Sequence, residues 1–169
     1  LKQRIQELEH AESDRKRVDE ALKASEERFR TLSDKTPLGM SLIDIDGRYE
    51  YVNPAFVKIF GYDLSDIPTG KEWFRMAYPD PEYRREVIAD WKEDLSSYPK
   101  IEVRPRVYEV RCKEGTFRTI LFRPVTLPSG KQLIIYEDIT ESKQTKEALQ
   151  RAHDELEQRV AERTEELMR

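Results

Sequence analysis

Two apolar stripes at helical spacing frame this chain and restrict what can lie between them. At the front, Leu1, Ile5, Leu8, Ala11, Val18, Leu22, Phe29 and Leu32 step along one helical face. At the back, the run from Glu141 to Arg169 repeats its apolar residues every three or four positions, with Leu149, Leu156 and Leu167 among them. Steps averaging ~3.5 residues are the coiled-coil period, and a narrow stripe on a long helix cannot bury itself alone. Glu12 and Arg15 weaken the front seam, and Ile5, Leu8, Ala11 hold two successive steps of three, which overwinds a supercoil or passes one face to another. Both flanks want a partner helix, so a homodimer paired through Leu22, Phe29, Leu149, Leu156 and Leu167 is expected.

Between the stripes the rhythm changes. Thr36-Pro37 ends the first helix, since proline disfavours helix at the residue before it. Met40, Leu42, Ile43 and Ile45 read as a mostly buried strand, Asp46-Gly47 as a tight hairpin turn, and Tyr49, Tyr51 and Val52 as the returning strand. Asn53-Pro54 is a helix start, with asparagine capping and proline at the first helical position; Phe56, Ile59 and Phe60 lie on one face, and Gly61 stops it. Ser65 and Asp66 are capping candidates in a short turn-rich stretch. Asp80-Pro81 opens an amphipathic helix carrying Tyr83, Val87, Ile88, Trp91 and Leu95. Three strands close the domain: Val103 to Cys112, Thr116 to Pro124 and Gln132 to Ile139, separated by Lys113-Glu114-Gly115 and Pro128-Ser129-Gly130. Two strands, several helices and three strands make an α+β domain, an antiparallel sheet with helices on one face.

Composition narrows the function classes. Charged residues reach 38%, concentrated at the ends, while the middle holds nearly all the aromatic residues. A net charge of −4, from 30 basic and 34 acidic residues closely interleaved, offers no basic stripe for phosphate, so nucleic acid is not an expected partner. Cys112 is the one cysteine and cannot form an intrachain disulfide. No apolar run approaches the roughly 20 residues of a membrane helix, and no basic-then-apolar leader opens the chain. A cytoplasmic segment without membrane contact is expected, the parent protein being free to carry a membrane anchor elsewhere.

Several residues then resemble a known family. Tyr51-Val52-Asn53-Pro54-Ala55-Phe56 with Phe60-Gly61-Tyr62, and the closing Glu137-Asp138-Ile139-Thr140-Glu141, look like the two ends of a PAS domain with its PAC segment. Glu26-Glu27-Arg28-Phe29-Arg30-Thr31-Leu32 is similar to the helical lead-in before such domains. The tail from Leu156 to Leu167 resembles linkers that join PAS domains to kinase or cyclase output domains. The resemblance implies a five-stranded antiparallel sheet and a helical flank around a small pocket, used in sensors that regulate histidine kinases, cyclic-dinucleotide cyclases or transcription. It divides the chain into a flanking coil at 1–32, a PAS domain with PAC segment at 33–141 and a signalling helix at 142–169.

Tyr51, Asn53, Phe56, Trp73, Tyr108 and Arg118 combine apolar walls with a few polar groups, the make-up of a small-molecule site. Against that, Asn53 is first a helix cap, and strand tyrosines pack well with a hydroxyl at the rim. Asp138, Ile139 and Thr140 form the expected relay joint, where short polar side chains bond nearby backbone as a strand turns into a helix. Enzymatic readings fare badly, because His10 and His153 both lie in the flanking helices and Cys112 has no histidine near it in sequence. Haem held by histidine is disfavoured for the same reason. Covalent flavin is disfavoured too, since light-sensing relatives place the adduct cysteine in a helix and Cys112 falls late in a strand. His153-Asp154-Glu155-Leu156 lacks the proline that usually follows a phosphoacceptor histidine, so a solvated coil histidine is the plainer reading. The expected role is a PAS sensor that passes a ligand- or partner-induced change to a C-terminal effector domain, the alternative being a ligand-free dimerisation or protein-interaction scaffold.

Overall fold

The computed structural model describes residues 2–96 and 105–168. The chain falls into two compact units, Leu1–Pro37 and Leu38–Arg169. The first is a single helix, α1 (Lys2–Lys35), which runs three residues past the expected boundary at 32. Val18, Leu22, Phe29 and Leu32 are all exposed on it. Leu1 and the side chains of Ile5 and Leu8, part of the expected front seam, lie outside the described residues.

The second unit runs β1 (Gly39–Ile43), β2 (Tyr49–Val52), α2 (Pro54–Phe60), α3 (Gly70–Ala77), α4 (Pro81–Ser96), β3 (Arg106–Arg111), β4 (Phe117–Thr126), β5 (Gln132–Asp138) and α5 (Thr140–Leu167). The five strands form one antiparallel sheet, as expected, and its order is β2-β1-β5-β4-β3. Its centre is the pairing of β1 with β5, Gly39 to Ile43 against Tyr136 to Gln132. The expected start of the third strand at Val103, and the side chain of Leu95, lie outside the described residues.

Local chemistry explains the elements. Asn53 caps α2 by accepting from Phe56 N at 2.9 Å, Pro54 follows it, and Gly61 ends the helix at a φ of 76° that only glycine adopts without strain. Thr69 caps α3 from Lys71 N and its hydroxyl also donates to the Glu72 carboxylate, a variant of the capping box. Asp80 accepts from Glu82 N and Tyr83 N, both at 2.8 Å, at the head of α4. Asp63 and Asp66 together organise the turn before α3: Asp63 accepts from Ser65 N and Asp66 N, and Asp66 accepts from Asp63 N at 3.0 Å.

The first hairpin departs from the two-residue turn expected at Asp46-Gly47. The loop closes one step wider, Asp44 N to Arg48 O at 2.9 Å, and the Asp44 carboxylate accepts from Asp46 N and Arg48 N. An aspartate that supplies its own turn acceptors removes Ile45 from the strand, so Ile45 is 75% exposed in the loop. The register between β1 and β2 also slips between Leu42 and Ile43.

Side chains alternate across the sheet. Ser41, Val110, Ile120, Phe122, Ile134 and Tyr136 face inward and are buried with Phe56, Phe60, Ile67, Trp73, Tyr78 and Val87 from the helical side. Both border strands are tied down. Tyr49 N on β2 donates to Pro68 O, and Glu109 N on β3 donates to Tyr83 Oη of α4 at 2.9 Å. Arg106 fastens β3 to α4 through a two-pronged contact with Asp94, 2.9 and 3.1 Å, supported by Asp90 at 3.3 Å.

Candidate functional site

Two places in this domain carry organised chemistry: the interior between sheet and helices, and the joint where β5 becomes α5. The interior is aromatic. Phe56 and Phe60, one turn apart on α2, meet Tyr136 of β5 with ring centroids 5.1 and 5.3 Å away, and Trp73 of α3 stands 5.7 and 5.1 Å from the same two phenylalanines. Phe122 bridges Tyr136 at 5.1 Å and Tyr108 at 5.4 Å, and Tyr78 touches Trp73, Tyr83 and Tyr108. These contacts are mostly edge-to-face, which the ring quadrupole favours.

Hydroxyls thread through this apolar wall. Tyr136 Oη and Ser41 Oγ share a hydrogen bond of 2.8 Å in full burial, and Tyr108 Oη donates to Asp90 at 3.0 Å. Burial pushes the Tyr49, Tyr78 and Tyr136 phenols well above their ordinary range, so each stays neutral throughout the physiological range. Among the described residues, Tyr78 Oη and Trp91 Nε1 are buried without a hydrogen-bond partner. Both are donors, and a buried donor without an acceptor costs about 1–3 kcal/mol.

The expected pocket residues divide. Phe56 and Trp73 lie in this interior, and Tyr108 joins them with its hydroxyl turned to α4 rather than to a rim. Asn53 is buried but fully engaged: besides capping α2 it accepts from Met40 N at 2.8 Å and donates to Leu38 O at 2.9 Å. Tyr51 is a correction. It pairs with Leu42, and Leu42 with Leu133, on the face opposite Ser41 and Ile134, because one step along a strand reverses the side chain. Arg118 lies on the inward face opposite Val110 but away from the aromatic cluster, where it joins the polar network of the joint. Ser41, Tyr78 and Tyr136 were missed in the sequence; the only signal available was their place in the strand alternation or before a proline, which marks a buried position but not a hydroxyl turned inward.

At the joint, Arg118 Nη1 meets Asp138 Oδ2 at 2.8 Å. The other Asp138 oxygen accepts from Thr140 N at 3.0 Å and Thr140 Oγ1 at 2.6 Å, and Thr140 Oγ1 in turn accepts from Thr119 N at 2.9 Å. Ile139 N donates to Thr119 O at 3.0 Å, while its own carbonyl receives Lys143 N in the first turn of α5. Burial alone would raise the Asp138 carboxyl, but the bonds from Thr140 and the Arg118 guanidinium outweigh it and hold it below the ordinary carboxylate range. Asp138, Ile139 and Thr140 thus connect β4, β5 and α5 in one polar network. Beside it lies a half-open cleft of about 360 Å³ whose lining includes Lys58, Gly61, Cys112, Lys113 and Arg118. Cys112 is buried there, its thiol donating to Ile59 O at 3.4 Å and pushed upward in pKa by burial.

Beyond the joint, no residue of α5 is buried: Leu149 is 71% exposed, Leu156 62% and Leu167 87%. No described helix is long and apolar enough to cross a membrane.

Comparison with known proteins places this architecture. The family model described as PAS domain matches residues 27–94. The cell-division control histidine kinase PdhS of Brucella ovis is 31% identical over 153 residues, covering 89% of this chain and 14% of that kinase. The chain therefore spans a small part of the curated relatives it matches. A sensory box histidine kinase/response regulator from Burkholderia thailandensis superposes with a TM-score of 0.55 at 26% identity, over 78% of this chain and 98% of the other. A domain of the sensory box sensor histidine kinase/response regulator from Geobacter sulfurreducens gives 0.53 at 24% identity, over 69% and 96%. Sheet order, helical cover and family match agree: this chain carries a PAS domain, similar in structure to one from a sensory box histidine kinase/response regulator.

Proposed function

We propose that this chain is the sensory segment of a cytoplasmic signalling protein, without catalytic activity of its own. It pairs as a homodimer through its flanking helices and passes a conformational change to an effector outside the chain, a histidine kinase or a cyclic-dinucleotide cyclase. The observation that carries this reading is the joint. Arg118 and Asp138 project from the same face of the sheet that lines the aromatic interior, and the same Asp138 holds Thr140 at the start of α5. A change that shifts β4 against β5 alters this network and with it the seating of α5. The signal is bounded by the free-energy difference between the two packings, and about 5.5 kcal/mol would reverse a 1:99 equilibrium completely.

The input is a small uncharged molecule or a partner contact. The unmatched donors Tyr78 Oη and Trp91 Nε1 favour a molecule with an acceptor oxygen or nitrogen, with Trp73 and Tyr108 against the Tyr78 ring. The close ring packing of the interior favours the second reading, a scaffold that sets dimer register without a ligand.

Native mass spectrometry of the chain at low micromolar concentration tests both. A dimer carrying added mass that is lost on denaturation is the expected result for a ligand sensor, whereas a bare dimer with no ligand-dependent melting favours the scaffold. Leu149, Leu156 and Leu167 changed together to glutamate should yield a folded monomer. A dimer that survives this change overturns the pairing through α5.

A further inference from the structure

We propose that two copies of α5 build a divalent transition-metal site, of the zinc type, from His153 and Glu157 of each chain. The inference rests on the self-pairing of α5 proposed above. Leu149 and Leu156 are seven residues apart, as are Val160 and Leu167, and all four are exposed. The two sets interleave at the heptad spacing, which puts Leu149 and Leu156 at one seam position and His153, Val160 and Leu167 at the other. His153 therefore occupies a layer of the seam, between two leucines, where an apolar residue would normally sit.

In a parallel pair the positions flanking the seam meet five residues apart. Ala152 then faces Glu157 of the second copy, Thr145 faces Gln150 and Arg159 faces Thr164. None of these flanking pairs sets like charges against each other, while the seam itself sets Lys146 and Arg163 each against its own copy, so the second copy in this register is taken from the self-pairing proposed above. Ala152 gives Glu157 nothing to bond, so this carboxylate is left to turn toward the histidine layer. Within one chain it already does: Glu157 Oε1 lies 3.8 Å from His153 Nδ1. The ligand atoms of His153, Asp154 and Glu157 all lie within 4.8 Å of one another. Asp154 sits outside the seam and takes a hydrogen bond from Gln150 Nε2, so it is not counted among the bridging ligands. Two imidazoles and two carboxylates make a four-coordinate nitrogen and oxygen set, which suits zinc. The ion would fill the polar layer and tie the two helices just beyond the joint.

The test uses the whole chain, freed of metal with chelator, in sedimentation velocity with and without zinc and in visible spectroscopy with cobalt as the probe. The expected result is one ion per two chains, a dimer tightened about tenfold at zinc ten times its dissociation constant, and a tetrahedral cobalt spectrum. His153→Ala should abolish both readouts and Glu157→Gln weaken them, with Asp154→Asn and His10→Ala unchanged. One ion per chain that depends on Asp154, binding that depends on His10, or no binding overturns the proposal. A dimer in chelator that ignores zinc rejects the metal site and leaves self-pairing standing, while a monomer under every condition rejects both.

Discussion

Replacing Asp138 by asparagine removes one charge from the joint and almost nothing from its shape. Asparagine keeps one acceptor oxygen for Thr140 but loses the ionic partner of Arg118. A hydrogen bond between charged groups contributes about 1.5–3 kcal/mol when partly shielded. Arg118 and Asp138 are 34% and 24% exposed, so solvent screening pulls the expected loss toward the lower part of that range, about 2 kcal/mol. At roughly 4 °C per kcal/mol for a domain of this size, Tm should fall by about 8 °C. The pH dependence has a definite sign. Because the folded carboxyl titrates below the unfolded one, its stabilisation is present above the unfolded value near ~3.9 and disappears as pH falls through the folded value. The difference between parent and variant should therefore be full at pH 6 and shrink below about pH 4. A double-mutant cycle with Arg118→Met should return a coupling of about 1 kcal/mol, and hydrogen exchange should quicken at Thr140–Lys143. A Tm change under about 2 °C, or a coupling within ~0.3 kcal/mol of zero, would refute the view that this ion pair seats α5.

Asn53→Ala should cost about 3 kcal/mol in chemical denaturation, because it removes the α2 cap and leaves Met40 N and Leu38 O without their side-chain partner. Tyr136→Phe strands the buried Ser41 hydroxyl and should cost about 1–3 kcal/mol, whereas adding Ser41→Ala to it should cost little more. Tyrosine absorbance followed to high pH should show Tyr49, Tyr78 and Tyr136 silent until the domain unfolds. Since burial raises their folded values, the stability they confer is complete below the unfolded value near ~10 and declines above it.

The parts of this fold that were readable in the sequence are those governed by neighbours along the chain. Asn53-Pro54 and Gly61 mark α2 at both ends because capping and a left-handed stop are local requirements. The joint was readable for the same reason, its bonds running from Asp138 to Thr140, two residues on. The tie of Arg118 to the joint was not readable, because its partner Asp138 lies 20 residues away across a strand pair. Tyr51 failed on register: a strand of four residues gives too little alternation to tell its faces apart. The Ser41–Tyr136 bond joins residues 95 positions apart, and no local pattern in either strand announces it.

That same span shapes how the domain comes into being. The centre of the sheet pairs the first strand with the last, so nothing local can close it while the chain is being made. Gly39 to Ile43 can pair locally with β2, but its other edge stays open until Gln132 to Asp138 is made, and domains dominated by such distant pairings fold slowly for the loop they must close. Completion of the sheet and formation of the Asp138 network are then one late event. The first turn of α5 is thus seated only when the sheet is complete, at the same step that closes the domain.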